Sequence, residues 1–323
     1  MTGSMTGSMT GPMTGPMTQA TPFPRTAAHK LFCFGFGYSA ASLAERLAPT
    51  QIQIAGTRTR LEAGQKRGIA LAAFNSDGHA AGVVTLLAGT THLLISIPPD
   101  AAGDPALRIF GDDLRRLSSL VWIGYLSTIG VYGDCAGAWV DETAAVRPQS
   151  MRAARRVMAE DQWRGYGAAT GTHVEIFRLP GIYGPGRSMI DAVQAGTARR
   201  VIKPGQVFNR VHVTDIARAL ERAIDLAATG RSPQFDTYNL VDDDPTPPQD
   251  VVKFAAELLG VEPPPEVPFE AAQLTPMGQS FYAENKRASN ARLKQAFKFA
   301  LAYPTYREGL RAIVAGCRLS DQA

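Results

Sequence analysis

The chain has 323 residues, of which 45% are hydrophobic and 19% charged, and its formal net charge is +4 at pH 7. This length suffices for one large α/β domain with an appended lobe. The Lys and Arg residues are spread along the chain, and no apolar run approaches the roughly 18 residues of a membrane-spanning helix, so we expect neither a nucleic-acid partner nor a membrane. The cysteines and histidines lack metal-ligand spacing, which predicts no metal site, and the three widely spaced cysteines favour a cytoplasmic location.

The N-terminal segment begins with "MTGSMTGSMTGPMTGPMT", a four-residue repeat of small and polar residues with methionine. It has neither the cationic segment nor the apolar core of a signal peptide. We expect residues 1–28 to be a disordered tail outside the folded protein.

After the tail, short apolar runs alternate with helical patterns, as in repeated βα units. Six strands are predicted, in "KLFCFG", "QIQIAGT", "IALAAFN", "THLLISIPP", "LVWIGYLST" and "HVEIFRLP". Helices are predicted in "AASLAERLA", in "RLEAGQKRG" and from about Ser150 to Ala169. The pattern predicts an α/β fold with a Rossmann-type, doubly wound parallel sheet over residues 29–180.

The composition changes after Pro180, where Gly and Pro become frequent in "PGIYGPGR", "DDDPTPPQD" and "VEPPPEVPF". Between these segments, "HVTDIARALERAIDLA" has the periodicity of an amphipathic helix. We expect residues 181–323 to form a smaller substrate-binding lobe, with some elements that return to the main sheet.

Two glycines separate the first strand from the first helix, in "GFGYSA". Gly35, Gly37 and Ala40 match the small residues of a dinucleotide-binding fingerprint, in which they allow a sharp turn, close approach of a pyrophosphate and close helix packing. The helix N-terminus adds free N–H groups and a partial positive charge. The alternative is an ordinary glycine turn. Tyr38, beside the turn, and Pro98, after the fourth strand, are further candidates for cofactor contacts.

The end of the second strand bears on the choice of cofactor. NAD-selective sites have a carboxylate here for the ribose 2′-hydroxyl, whereas this chain has Thr57 and Arg58 in "GTRTR". Because a guanidinium can neutralise a 2′-phosphate, the sequence favours NADP(H) over NAD(H), with Thr57 and Arg58 as cofactor-binding residues. Asp77, after the third strand, is a candidate for the adenine amino group. The alternative for Arg58 is a solvated cation in a loop, and the alternative for Asp77 is an aspartate that forms a turn.

The motifs "YLSTIGVYGD", "VRPQSMRAARRVMAEDQW" and "FRLPGIYGPGR" together resemble the extended short-chain dehydrogenase/reductase family, in its epimerase and dehydratase branch. The resemblance implies an oxidoreductase or epimerase that binds NAD(P) and acts on a small anionic or sugar-like molecule, with a homodimer as one expectation. It also implies that Thr128 holds a substrate oxygen, that Ser127 beside it contacts the cofactor, and that Pro180 and Gly181 contact the nicotinamide. For Thr128 the alternative is a hydroxyl that caps the strand end.

The family pattern continues with a Tyr and, four residues later, a Lys, and both positions differ here. They fall on Arg152 and Arg156. Since a guanidinium does not deprotonate in proteins, Arg152 cannot be the general acid or base. Arg156 can still hold the nicotinamide ribose, and Arg152 can bind a substrate carboxylate or phosphate. The alternative for both is an exposed helix face.

The proton of a redox reaction must then come from another group. Tyr132 is the first candidate, ahead of Tyr183 and His212, although a packed Tyr with a bonded hydroxyl is the commoner state. His212 is expected to be structural, and Asp215 to cap the helix that follows it.

Three residues of the C-terminal lobe are expected to contact substrate. Tyr183 and Arg187 lie in "GIYGPGR", and Arg210 precedes His212 by two residues. Many sugar-nucleotide enzymes of the family have a phosphate-binding Arg four residues before this His. A shift of two keeps the same strand face, so Arg210 can still bind an anion.

Two functions are compatible with these residues. The first is an NADP(H)-dependent oxidoreductase or epimerase. The second is a non-catalytic sensor in which NADP(H) changes how the small lobe meets a protein partner, as the arginines at the Tyr and Lys positions would allow.

Overall fold

A computed structural model describes residues 29–61, 68–76, 78–230 and 236–320, with side chains described as far as residue 316. The strands in chain order are β1 (Lys30–Phe34), β2 (Gln53–Arg58), β3 (Ala70–Ala73), β4 (His92–Ile95), β5 (Trp122–Thr128), β6 (Trp139–Val140), β7 (His173–Leu179), β8 (Gly181–Tyr183), β9 (Arg200–Ile202), β10 (Arg210–His212), β11 (Thr237–Asn239), β12 (Glu266–Pro268) and β13 (Arg287–Ala288).

The helices are α1 (Tyr38–Leu47), α2 (Ala81–Leu87), α3 (Pro105–Arg115), α4 (Met151–Thr170), α5 (Met189–Gln194), α6 (Val213–Ala228), α7 (Pro248–Leu259), α8 (Pro276–Tyr282), α9 (Ala291–Phe297) and α10 (Tyr306–Ser320). Two short 3₁₀ turns cover Ile129–Tyr132 and Phe269–Ala271. No helix in the described ranges is long and apolar enough to span a bilayer.

Seven parallel strands form the central sheet, in the order β11-β7-β5-β4-β1-β2-β3. The chain moves outward from β1 to β3 and then returns to place β4 on the other side of β1. This reversal opens a crevice at the carboxyl ends of β1 and β4, where doubly wound folds bind their ligands. The predicted Rossmann-type fold is confirmed.

The sheet is covered on both faces, which explains why its central strands are apolar almost throughout. One core cluster packs α1, α6 and α9 against the sheet, and another packs α2, α3 and α4 against the opposite face. The smaller clusters involve α5, α7 and α10, and the 3₁₀ turn after β5. Three two-stranded parallel pairs, β8 with β10, β9 with β12 and β6 with β13, lie outside the main sheet.

All six predicted strands are present in the structure, and β11 adds a seventh from the C-terminal part of the chain. The helix predicted from about Ser150 is α4, which Ser150 caps by accepting a hydrogen bond from the Ala153 N–H group. The helix predicted in "RLEAGQKRG" and the candidate Asp77 fall largely or wholly outside the described residues.

Candidate cofactor and substrate site

The glycine turn after β1 is held by both neighbouring strands. Gly35 has φ +90°, and a Cβ there would lie 2.8 Å from the side chains of Ser96 and Ile97, so no other residue fits. The Gly35 N–H group donates to the Thr57 hydroxyl at 2.9 Å, and the Ser96 hydroxyl donates to the Gly35 carbonyl at 2.5 Å. Thr57 is almost fully buried. Its side chain therefore supports the turn, instead of facing a cofactor as the sequence suggested.

Gly37 leaves open space at the start of α1. It is the N-cap residue, with φ −97°, and no atom lies within 4 Å of the position that a Cβ would take. No side chain caps the helix, so the first N–H groups remain available for a ligand. Ala40, one turn further on, is buried against the sheet. This cradle fits the pyrophosphate of a dinucleotide.

Arg58 lies beside this cradle, at the end of β2. Its Nε donates to the Phe36 carbonyl at 3.1 Å, and its Cζ lies 6.0 Å from the centre of the Phe36 ring. The side chain is half-buried, and no carboxylate contacts it among the residues that the structure describes. The contacts with Phe36 thus hold a guanidinium next to the glycine turn that no described carboxylate neutralises.

The carboxyl ends of the parallel strands bring the other predicted cofactor residues to the same edge of the sheet. Pro98 is exposed just after β4, Pro180 is half-buried after β7, and Gly181 is exposed at the start of β8. Gly181 donates its N–H to the Asn209 carbonyl at 3.3 Å. Pro98 therefore lies near the carboxyl end of β4, and Pro180 and Gly181 near that of β7.

Ser127 and Tyr132, which were predicted for cofactor binding and catalysis, belong to a buried network of hydrogen bonds. Ser127 donates its hydroxyl to Glu160 at 2.5 Å, and Glu160 forms a buried ion pair with Arg178 at 2.7 Å. The Tyr132 hydroxyl donates to Asn239 at 2.8 Å and accepts from Arg178 at 3.0 Å. Burial raises the pKa of Tyr132. Its hydroxyl is therefore engaged in the core and is poorly placed to give a proton to a substrate.

Thr128 marks the end of β5 and caps the 3₁₀ turn that follows. Its Oγ1 accepts a hydrogen bond from the Gly130 N–H group at 3.1 Å, as the alternative interpretation of the sequence expected. A Cβ on Gly130 would lie 3.3 Å from Thr128 Oγ1 and 3.9 Å from the Cβ of Ala153, which brings the first turn of α4 next to Thr128. The Thr128 hydroxyl proton has no acceptor among the described residues and can be donated to a ligand.

The two arginines on α4 have different surroundings. Arg156 donates to the Leu126 carbonyl at 2.8 Å and to the Tyr125 hydroxyl at 3.0 Å, so β5 fixes its guanidinium. Arg152, one turn earlier on the same face, is exposed, and its Cζ lies 5.5 Å from the centre of the Phe281 ring on α8. No carboxylate contacts Arg152 in the described ranges. Arg152 is the member of the pair that can bind an anion from solution.

Two of the three lobe residues predicted to bind substrate, Tyr183 and Arg210, are instead close to or bonded to backbone carbonyls of the protein. Tyr183 is 8% exposed, and its hydroxyl lies 3.4 Å from the Thr305 carbonyl. The half-buried Arg210 donates to the carbonyls of Phe208 and Thr246, at 2.9 and 3.2 Å. Asp242, which was not predicted from the sequence, is buried near Arg210, and burial raises its pKa well above its ordinary value. The sequence signal for it is the acidic run directly after β11.

The start of α6 corrects one expectation. His212 caps the helix by accepting the Thr214 N–H at Nδ1, at 3.2 Å, and its burial lowers its pKa to about 4. Asp215 was predicted as the cap, which is wrong. Its buried carboxylate instead accepts the N–H groups of Ala302 and Tyr303, at 2.7 and 2.9 Å. His212 is thus structural, as expected.

Tyr38 and Arg187 contact each other at the start of α1, next to the glycine turn. The Tyr38 hydroxyl donates to the Pro185 carbonyl at 3.0 Å. The exposed Arg187 places its Cζ 5.8 Å from the centre of the Tyr38 ring. The loop after β8 therefore contacts the first residue of α1.

The fold and the glycine cradle define a dinucleotide-binding protein of the Rossmann type. The family model for the NAD dependent epimerase/dehydratase family matches residues 120–240. The chain belongs to this family, so its function is of the NAD(P)-binding epimerase type.

Solved structures share this fold. A functionally unknown conserved protein from Silicibacter pomeroyi DSS is 44% identical, with a TM-score of 0.79, over 90% of this chain and 99% of that one. A putative NAD-dependent epimerase/dehydratase from Methylobacillus flagellatus is 26% identical, with a TM-score of 0.65, over 90% of this chain and 100% of that one. UDP-glucuronic acid 4-epimerase from Bacillus cereus, in complex with NAD, shares the fold at 14% identity, with a TM-score of 0.67, over 90% and 99% of the two chains. No curated protein matches the chain.

Proposed function

We propose that this protein binds NADP(H) in preference to NAD(H) and acts as an oxidoreductase or epimerase on a small anionic or sugar-like substrate. The observation that carries the cofactor preference is Arg58, whose guanidinium lies beside the glycine turn without a carboxylate partner among the described residues. A carboxylate at the end of β2 would favour the free 2′-hydroxyl of NAD(H), whereas a cation there favours a 2′-phosphate.

Replacing Arg58 tests the cofactor preference. We expect Arg58→Ala to weaken NADPH binding by about 10- to 100-fold, because a charge-assisted hydrogen bond to phosphate is lost. NADH binding should change by less than about threefold, since NADH has no 2′-phosphate. Arg58→Lys keeps the charge and should give an intermediate NADPH affinity. Titration followed by nicotinamide fluorescence measures each value, and equal losses for NADH and NADPH would contradict the proposed preference.

The proposed substrate site lies between Thr128 and the first turn of α4. Bound nicotinamide would supply hydride transfer to or from a substrate carbon. Thr128 would donate a hydrogen bond from its hydroxyl to a substrate oxygen, and Arg152 would bind an anionic group of the same molecule. The proton that a reduced carbonyl oxygen gains would come from solvent water, so that Thr128 keeps its own proton. Arg156 is held by β5 and would position the cofactor ribose. We assign no proton transfer to either arginine, because a guanidinium stays charged. The fold shared with UDP-glucuronic acid 4-epimerase from Bacillus cereus is in keeping with a sugar-like substrate.

A panel of carbonyl compounds tests the role of Arg152. Each anionic compound is paired with its neutral ester or amide, and NADPH oxidation is followed by absorbance. We expect the anionic member to be preferred, and Arg152→Gln to lower its kcat/KM by about 10- to 100-fold while the neutral member changes little. Arg152→Lys should restore part of the preference. Equal losses for both members would show that Arg152 does not recognise the anion.

The second candidate is a non-catalytic NADP(H) sensor. It is favoured by Arg152 and Arg156 at the family's Tyr and Lys positions and by the engagement of the Tyr132 hydroxyl in the core. A protein that binds NADPH tightly but turns over no compound of the panel would support this candidate.

The proposal extends to location and assembly. Cys33 and Cys135 are free thiols, in keeping with a cytoplasmic protein. A homodimer is proposed through the helices that flank the sheet, where Ala154, Val157 and Met158 of α4 line a shallow surface depression. Sedimentation of the purified protein tests the homodimer.

A further inference from the structure

The loop that follows β8 is fixed against the start of α1. Gly184 and Arg187 exchange backbone hydrogen bonds at 3.1 and 3.0 Å, which closes a tight turn. Tyr38 donates to the Pro185 carbonyl inside this turn, and a Cβ on Gly184 would lie only 2.5 Å from the Tyr38 hydroxyl. The turn therefore rests directly on the first residue of α1.

Arg187 projects from this turn over the Tyr38 ring, at 5.8 Å from Cζ to the ring centre. It is exposed, and no carboxylate or carbonyl pairs with its guanidinium among the described residues. A helical side chain leans toward the N-terminus of its helix, so Tyr38 extends from α1 toward the cradle at Gly37. Stacking on this ring keeps the Arg187 guanidinium near the cradle.

We propose that Arg187 binds the pyrophosphate of the dinucleotide from the side opposite the α1 N-terminus. The inference rests on the proposed dinucleotide binding and assigns Arg187 to the cofactor, where the sequence analysis placed it with the substrate. The Gly37 cradle and the free N–H groups of α1 approach the phosphates from one side, and the fork of Arg187 supplies the charge from the other. Because β8 leads directly into this turn, the same loop connects the nicotinamide end of the crevice to the pyrophosphate.

Tyr38 is then a positioning residue. Its hydroxyl holds the turn through Pro185, and its ring supports the guanidinium. Arg58 and Arg187 thereby bind different groups of the cofactor. Arg58 binds the 2′-phosphate, which only NADP(H) has, and Arg187 binds the pyrophosphate, which both cofactors have.

Cofactor titrations of the full chain test this division. We expect Arg187→Ala to weaken NADH and NADPH binding by the same factor, about tenfold, and ADP-ribose binding equally, because all three contain the pyrophosphate. Adenosine 2′-monophosphate, which lacks it, should bind Arg187→Ala and the wild type alike in competition with NADPH. Arg187→Lys should recover part of the affinity. Tyr38→Phe removes the hydrogen bond to Pro185 and should cause a smaller loss, again equal for NADH and NADPH.

The control is Arg311→Ala, which removes an exposed arginine from the same lobe and should leave all affinities unchanged. Unchanged NADH and NADPH affinities in Arg187→Ala would overturn the inference, as would a loss confined to NADPH. If the wild type binds neither nucleotide, the proposed function itself fails, and the inference fails with it. Failure of the proposed function is thus seen in the wild type, whereas failure of the inference alone is seen only when the wild type and Arg187→Ala are compared.

Discussion

Glu160→Met is expected to lower the free energy of unfolding by about 3–5 kcal/mol, the cost typical of removing one partner of a buried ion pair. Glu160 and Arg178 are 1% and 3% exposed, and two hydrogen bonds join them, at 2.7 and 3.1 Å. Among the described residues, the Arg178 guanidinium makes one further hydrogen bond, to the Tyr132 hydroxyl at 3.0 Å. Because an arginine cannot lose its proton, Glu160→Met leaves a buried charge that no other described carboxylate contacts.

The double variant Glu160→Met/Arg178→Met removes both charges and should recover most of this stability, as apolar replacements of buried pairs often do. Asp112→Ala is the surface control, because it breaks the exposed ion pair with Arg115 and should cost less than about 1 kcal/mol. Urea unfolding followed by circular dichroism gives all these values. A Glu160→Met protein within about 1 kcal/mol of the wild type would show that the network is unimportant for stability.

Gly37→Val is expected to abolish most cofactor binding while leaving the protein folded. A Cβ at Gly37 meets no atom within 4 Å, and its φ of −97° suits any residue, so we expect a stability loss below about 1 kcal/mol. The valine would occupy the space proposed for the pyrophosphate. Since such overlap costs on the order of a few kcal/mol, NADH and NADPH affinity should each fall by about 100-fold or more.

Gly35→Ala, two residues earlier, is the matched contrast. Its φ of +90° and the two atoms 2.8 Å from the new Cβ make the substitution strained, and we expect a stability loss of about 1–3 kcal/mol. Thermal unfolding separates this folding defect from the binding defect of Gly37→Val. If Gly37→Val keeps its affinity for both cofactors, the pyrophosphate does not lie in the cradle.

The fold was largely predictable because its signals are local. The apolar runs of β1, β4 and β5 and the glycines at the end of β1 each lie within a few residues, and a buried parallel strand needs no partner in the sequence to be detected. The short β11 was not predicted, because its three residues carry too little periodicity, and its place in the sheet depends on pairing with β7.

The candidate site was predictable only in part. Residues near the cradle could be found because Gly35, Gly37 and Arg58 lie at or just after the carboxyl ends of strands, which the parallel order brings to one edge of the sheet. The roles of Thr57 and Tyr132 could not be found, because each side chain is engaged by residues far away in the chain. Asp215 was misassigned as a cap for the same reason, since its partners are Ala302 and Tyr303.

The sequence by itself determined that the chain forms a Rossmann-type sheet with a dinucleotide cradle, and that Arg152 and Arg156 occupy the positions of the family's Tyr and Lys. The first property depends on local periodicity and on the glycine turn, and the second on the resemblance of the sequence motifs to the family. Only the tertiary structure decided which polar groups face the crevice and which form hydrogen bonds inside the core. The Tyr132 hydroxyl, for example, is bonded to Arg178 and Asn239. The physical reason is that a buried polar group must find a hydrogen-bonding partner, and that partner is supplied by whichever distant strand or helix packs beside it.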